Sequence, residues 1–479
     1  MSLPRLLVFV LPLVALAPNA VAGTVWYVTA TGAFGGSGTS WTTPTSLDGA
    51  LAAAAPGDEL RIAEGVYYPA VNSVPGSTDP NDRSFTITKS LTIIGGWLGH
   101  ETGNTPPQGC PVNTILDGDL GVAIPVRCDN SYHVVSIVGG PGSKISLSRV
   151  FIRNGHAVLN SAPCSGITLP GIADSRNRGA GVYIKSRSTI ELSEIVLDSN
   201  LCEGLGGGLF ASGCTLSVSQ SAVLRNVASN TPDGGGGGMY LTCPSAKFVN
   251  VVFQGNGGNA ARGGGLYASG GDLELTNCTF DRNSVDQGPA LVGTGGALYL
   301  EKENFTRLFN CTLGGNAAHV AGAESIAMGA SSGDCHLYNT IVYSPVLTAP
   351  HFAVGGGGAF TSSSCYLQIP AGHPAPVDGS APGFATLYNP AAPPLITQLI
   401  NYEPGGLSLA AGSATQVMVG ADPALVPADA LDIDADGDTV EVLPMDRERG
   451  LRFTGATVSM GAYEITYPNL DYLSLLCRP

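Results

Sequence analysis

The chain has 479 residues, 44% of them hydrophobic and 12% charged, with 66 glycines and a formal net charge of −15. That apolar content is enough for a packed core, which excludes a disordered chain, and the acidic balance argues against nucleic acid or an anionic membrane surface as partner, since both need clustered Lys and Arg. Beyond the first 22 residues no stretch approaches the ~20 continuous apolar residues of a membrane span, so no spanning helix is expected.

Residues 1–22 read as a secretory signal, with Arg5 in a short basic region, an apolar stretch from Leu6 to Ala17 and the small-residue exit Ala20-Val21-Ala22. An exported chain with 11 cysteines favours disulfides. Local spacing suggests Cys110 with Cys128 and Cys202 with Cys214. Cys278 and Cys311 occupy equivalent positions of successive repeats, where adjacent in-register strands offer poor disulfide torsions. Residues 23–84 read as an N-terminal cap and first coil. Residues 85–369 read as a solenoid whose early coils, from Phe85 to Ile94, Thr114 to Leu116 and Val134 to Phe151, are irregular.

Between residues 179 and 316 one cassette recurs five times: small residues running into an aliphatic-aromatic step, followed by an apolar residue three before an asparagine. The steps are Gly179 to Tyr183, Gly206 to Phe210, Gly236 to Tyr240, Gly263 to Tyr267 and Gly295 to Tyr299. The second halves are Leu197 to Asn200, Val223 to Asn226, Phe253 to Asn256, Phe280 to Asn283 and Leu313 to Asn316, with Phe151 to Asn154 preceding them. A fixed period without helical spacing means one solenoid turn per repeat, burying its inner face only by stacking on neighbours. Within a coil, period-two alternation suggests three short strands, with Asn277 at a left-handed bend and Asn250, Asn310 and Asn339 at the same bend elsewhere. Stacked asparagines at that bend are expected to form a hydrogen-bonded ladder. The formal sequons at Asn277 and Asn310 are discounted because those side chains should point inward.

If Val182, Ile184, Met239, Leu241, Leu298 and Leu300 point inward, Tyr183, Phe210, Tyr240, Tyr267 and Tyr299 point outward as an exposed column, with Gly181, Gly208, Gly238, Gly265 and Ala297 as flat backbone beside them. Such a strip suits a saccharide chain, or alternatively stabilises the sheet through ring contacts. Arg176, Arg178, Lys185 and Arg187 form a basic cluster able to meet a uronate, or a solvated strand edge. His156 and His319 have no nearby carboxylate or nucleophile in the pattern and read as structural. Residues 370–479 read as C-terminal coils and a closing module. There Asp432, Asp434, Asp436 and Asp438, with Gly437, have calcium-loop spacing but not the terminal ligand, position twelve being Leu443. Ca2+ is the one cofactor candidate.

The Gly-Gly-Ala-Leu of residues 295–298 and the Phe-x-x-Asn of Phe151, Phe253 and Phe280 resemble the repeats of chlamydial polymorphic outer-membrane proteins. The segments at Val25 to Val28, Gly95-Gly96-Trp97 and Thr114 to Asp119 are similar to secreted bacterial β-helix proteins. Asp432 to Asp438 and Val458 to Glu464 resemble the closing module of the "choice-of-anchor" β-helix group. These resemblances imply an all-β, right-handed parallel β-helix of the pectin-lyase type, which for this length means about ten coils, secreted or on a bacterial cell surface. The expected function is adhesin-like binding of an extracellular glycan or cell-surface component. The alternative is a polysaccharide lyase or glycoside hydrolase acting on an acidic polysaccharide, for which no catalytic residues can be named: the polygalacturonase-like series Asn-x-Asp, Asp-Asp, Gly-His-Gly and Arg-x-Lys does not occur.

Overall fold

The computed structural model describes residues 23–105, 107, 110–121, 129–158, 176–229, 234–258, 262–285, 293–318, 325–329, 331–343, 352–354, 358–367, 400–403, 406–409, 422–433 and 437–443. The expected signal segment at 1–22 lies outside these residues, as do Cys128 and His319. The strands stack as a parallel β-helix. An 18-stranded sheet takes two strands from most coils, and a 10-stranded sheet takes one per coil, which agrees with about ten coils. One coil runs through strands Val182–Lys185 and Thr189–Ser193 in the large sheet, Val196–Asp198 in the ten-stranded sheet and the two-residue Leu201–Cys202. That coil has four short strands, whereas the described residues of the coils that begin at Met239, Leu266 and Leu298 have three, the expected number. Around residue 270 the first two fuse into one strand, Leu266–Thr276.

Sequence alternation sets which side chains enter the core. Val182, Ile184, Met239, Leu241, Leu298 and Leu300 are all buried in one continuous interior cluster, as expected. The N-terminal end of that cluster is closed by the helix Leu47–Ala53, whose Leu47, Ala50 and Leu51 pack on it. Ser46 caps this helix by accepting from the Gly49 N–H at 3.1 Å. A solenoid needs such a cover because its last coil has no neighbour to bury its inner face.

Two bends per coil take a left-handed residue. At the first, Arg149, Glu194, Gln220, Asn250, Asn277, Asn310, Asn339 and Ser364 all have φ between 47° and 58°. The asparagine bend is thus where alternation put it, and Asn277 and Asn310 are fully buried. The expected ladder, however, is not built there. It runs through the other asparagines. Asn200 Nδ2 donates to Asn226 Oδ1 at 3.0 Å, Asn226 to Asn256 at 3.1 Å, Asn256 to Asn283 at 2.9 Å and Asn283 to Asn316 at 3.0 Å. Each amide also donates backwards to the carbonyl of the motif's apolar residue one coil earlier, Asn226 to Leu197 at 2.9 Å and Asn256 to Val223 at 2.7 Å. Among the bend asparagines, Asn339 instead meets the returning chain. Asn339 exchanges two hydrogen bonds of 2.9 Å with the Asp422 backbone.

The ladder also explains the small residues. A Cβ on Gly181 would lie 2.8 Å from Asn200 Nδ2, and one on Gly208 would lie 2.9 Å from Asn226 Cγ. These glycines therefore face inward onto the ladder and do not flank the aromatic rings on the outer surface, which corrects the expectation. The register corrects the early motif as well: Ile152, not Phe151, pairs with Leu197, so Gly155 holds the ladder position and donates its N–H to Asn200 Oδ1 at 2.9 Å.

Removing one rung tests this account. Asn256→Ala strips the acceptor from the Asn226 N–H and side-chain amide and the donor from the Val223 and Asn283 oxygens. Each buried polar group left unpaired costs about 1–3 kcal/mol. The denaturation midpoint should fall steeply, while an Ala substitution at the exposed Arg187 leaves it near wild type. Equal midpoints for the two variants would remove the ladder from its structural role.

Candidate functional site

The aromatic column exists in the expected register. Tyr183 pairs with Phe210, Phe210 with Tyr240, Tyr240 with Tyr267 and Tyr267 with Tyr299, one residue per coil. Ring centroids are 5.4 Å apart for Tyr183 and Phe210 and 5.5 Å for Phe210 and Tyr240, with interplanar angles of 9° and 2°. The next two contacts, at 4.8 and 4.9 Å, are edge-to-face. The column stops at Ala327, which pairs with Tyr299.

Its exposure differs from expectation. Phe210, Tyr267 and Tyr299 are only 5%, 4% and 7% exposed, while Tyr183 and Tyr240 are half-buried. The cause is geometric. Strands about 4.8 Å apart bring rings on successive coils within stacking distance, so each covers its neighbour's face. Two guanidinium groups cover more: Arg178 lies over Phe210 at 5.5 Å and Arg262 over Tyr299 at 5.4 Å. What reaches solvent is the edge of the column and not a level platform of faces.

That edge is polar. Tyr267 donates its hydroxyl to Glu301 at 2.5 Å, and Arg262 stands beside the same hydroxyl. Burial, followed by the Glu301 carboxylate, pushes the Tyr267 phenol far above its ordinary range, and burial also raises Tyr299. Both are protonated donors at neutral pH. The basic cluster is divided: Arg176 forms a bidentate ion pair with Asp82 and lies over Tyr132, whereas Lys185 and Arg187 are exposed.

One member was missed in the sequence. His133 stacks on Tyr183 at 4.8 Å and lengthens the column by a ring. It arrives from a position three residues before Ser136, the strand partner of Tyr183, so no in-register pattern reveals it. Its Nδ1 lies 3.0 Å from the Gly179 carbonyl, which can only accept, so Nδ1 carries the proton. Burial lowers its pKa to about 4. His156 is also buried.

In the acidic loop, Asp434 and Asp436 lie outside the described residues. Asp432 accepts from the Gly437 N–H at 3.1 Å and Asp438 from the Val440 N–H at 2.9 Å. These are turn-forming bonds that either a solvated or a metal-bound loop makes. Among the described residues, no group of three or more His, Cys, Asp or Glu side chains is placed to hold a metal. The expected Cys202–Cys214 bond is not formed: both are free thiols. The reason is packing, since Cys202 sits in a separate small cluster with Ala157, Ala180 and Ala228, while Cys214 lies in the main core. Cys110 is disulfide-bonded.

A groove of roughly 550 Å³ lies on the first coils, lined by Glu59, Arg61, Thr92, Trp97 and Asn104 among others. Arg61 sits 4.6 Å over the Trp97 ring and donates to Glu59 at 2.5 Å and to Asn104 at 3.0 Å.

Residues 128–342 match the family model described as "Right handed beta helix region". Among curated proteins, the chain is 26% identical over 109 residues to the "Probable autotransporter YfaL" of Escherichia coli (strain K12), covering 23% of this chain and 7% of that protein. It is 28% identical over 153 residues to the "Probable outer membrane protein pmp7" of Chlamydia pneumoniae, covering 29% of this chain and 16% of that one. The matched stretches are thus a small fraction of either relative. Among solved structures, a pectate lyase, Pel9A, aligns at TM-score 0.47 and 14% identity over 92% of this chain and 96% of its own. A rhamnogalacturonan lyase aligns at TM-score 0.29 and 14% identity over 73% and 69%. At 14% identity neither likeness extends to chemistry. With the parallel register above, the chain is a bacterial right-handed parallel β-helix protein of the secreted or cell-surface kind.

The buried histidine gives a pH prediction. Its folded pKa is depressed, so the folded state binds fewer protons than the unfolded one below pH ~6.5, and the stability it contributes is present above that pH and lost as pH falls toward 4. A difference from about 6.5 to about 4 amounts to about 3 kcal/mol. In urea titrations at pH 7 and pH 4.5, His133→Phe, which keeps a ring, should lose less stability on acidification than the wild type. Asp48, whose pKa is raised to about 6, has the opposite sign and is common to both proteins. Parallel losses in the two proteins would contradict the assignment.

Proposed function

We propose that the protein is an exported, adhesin-like binding protein that recognises a glycan along the edge of the aromatic column. The observation that carries this reading is the placing of two guanidinium groups, a carboxylate and protonated phenols along one strip, Arg178, Tyr183, Tyr240, Arg262, Tyr267, Tyr299 and Glu301, on a chain only 12% charged. In-plane donors and an acceptor suit sugar hydroxyls and carboxylates, and planar guanidinium groups suit carboxylates in particular. Stacking of sugars on ring faces contributes little here, because those faces are occupied by neighbouring rings.

The alternative, cleavage of an acidic polysaccharide, needs a group that accepts a proton near neutral pH. Tyr267, whose hydroxyl stands beside the Arg262 guanidinium, is held protonated by burial and Glu301, which favours binding over turnover at this strip. Arg178→Ala and Arg262→Ala should each weaken retention on an acidic glycan by about 1.5–3 kcal/mol, the range for charged hydrogen bonds, with a melting temperature close to wild type. A glycan microarray and calorimetry on these variants decide the question. Unchanged binding in both folded variants would move the site elsewhere, and unsaturated uronate appearing on incubation with pectate or alginate would replace binding with lyase activity.

A further inference from the structure

Cys214 and Cys243 lie in the core and face each other across two successive coils, with sulfurs 3.2 Å apart. The flanking strands fix this approach, because Ser212 pairs with Thr242 and Thr215 with Ser245. Between those pairs stand Gly213-Cys214 in one coil and Cys243-Pro244 in the next. The two sulfurs therefore come from diagonal positions in the corner that links two strands. Gly213 is left-handed there, with φ 77°, and Pro244 has no N–H to give a ladder. The corner is thus free of the in-strand torsions that make directly opposed parallel neighbours poor disulfide partners. Cys278 and Cys311 provide the contrast. They are directly opposed between the pairs Thr276–Phe309 and Thr279–Thr312. Their sulfurs turn to carbonyl oxygens, each at 3.3 Å, and not to one another.

A secreted or cell-surface protein passes through an oxidising compartment. We infer that Cys214 and Cys243 become a disulfide that staples two successive coils immediately after the strands carrying Phe210 and Tyr240. The sulfur–sulfur bond forms as two S–H bonds break. The two electrons and two protons pass to the disulfide of a thiol oxidoreductase of that compartment, or to oxidised glutathione in vitro, which leaves as two thiols. Both thiols are buried once the coils close, so exchange precedes closure. The bond spans 29 residues of sequence, one full turn, and adds a covalent link where coils otherwise stack only by hydrogen bonds and side chains.

The test is made on full-length protein recovered from an oxidising export compartment. It is unfolded in guanidinium with iodoacetamide and no reductant, digested, and mapped by mass spectrometry. The expected result is one linked peptide pair joining Cys214 to Cys243, lighter than the reduced pair by two hydrogens and alkylated only after dithiothreitol. In Cys243→Ser, Cys214 should become alkylatable without reductant. Alkylation of both cysteines in the unreduced wild type overturns the inference. So does a link from either cysteine to a different one, or continued protection of Cys214 in the variant.

Discussion

The interior amide ladder is the constraint from which the regular coils follow. Each ladder asparagine must reach three coils at once: its own, the next through the side-chain acceptor, and the preceding one through a backbone carbonyl. That is satisfied only if successive coils have the same length between bend and ladder, so the rung fixes the register of the ten-stranded sheet beside it. It also fixes the opposite wall. The space taken by the amide leaves no room for a Cβ on the glycine facing it, and the glycine lies two residues before the aromatic. The two halves of the repeated motif are therefore two sides of one packing contact.

The same regularity decides what the outer face offers a ligand. Any residue repeated in phase lands on its own copy at about the strand spacing. For asparagine this creates hydrogen bonds, and for aromatic residues it creates stacked or edge-to-face pairs. A column of rings generated in this way spends its faces internally, and Arg178 and Arg262 add a further cover. Recognition on such a surface has to use what the repeat leaves unmatched. That is the ring edges, the phenol hydroxyls, and charged side chains such as Glu301 that appear in one coil and not in the next.

The period, the parallel solenoid, the inward aliphatic residues and the left-handed bend at Asn277 were legible because alternation and glycine placement carry them directly. The identity of the ladder was not. Two asparagine columns recur with the same period, and one-dimensional spacing cannot tell an interior column from one at a bend. The bend tolerates Arg149, Glu194 and Ser364, which shows that it selects for backbone conformation and not for an amide. Phe151 misled by a single residue, since a shift of one exchanges the faces of a strand. The exposure of the rings was overestimated because alternation gives the side of the sheet but not what else lies on it. His133 enters its stack from outside the register, and the cap helix Leu47–Ala53, only seven residues long, is too short for helical periodicity to reveal.

A solenoid held only by neighbour contacts can open at any coil, since each repeat is supported by the two beside it. The C-terminal segment works against that. Asp422 is bracketed by the Asn339 side chain, and eleven residues later the Ile433 carbonyl accepts from Gln220 at 2.7 Å. Asn339 and Gln220 occupy the same bend in coils well separated along the axis. Residues 422–433 thus run back along the bend column and tie coils that share no strand pairing. Opening the solenoid between them requires breaking these contacts as well as the local sheet, so the bend positions, which contribute no ladder, contribute a long-range tie instead.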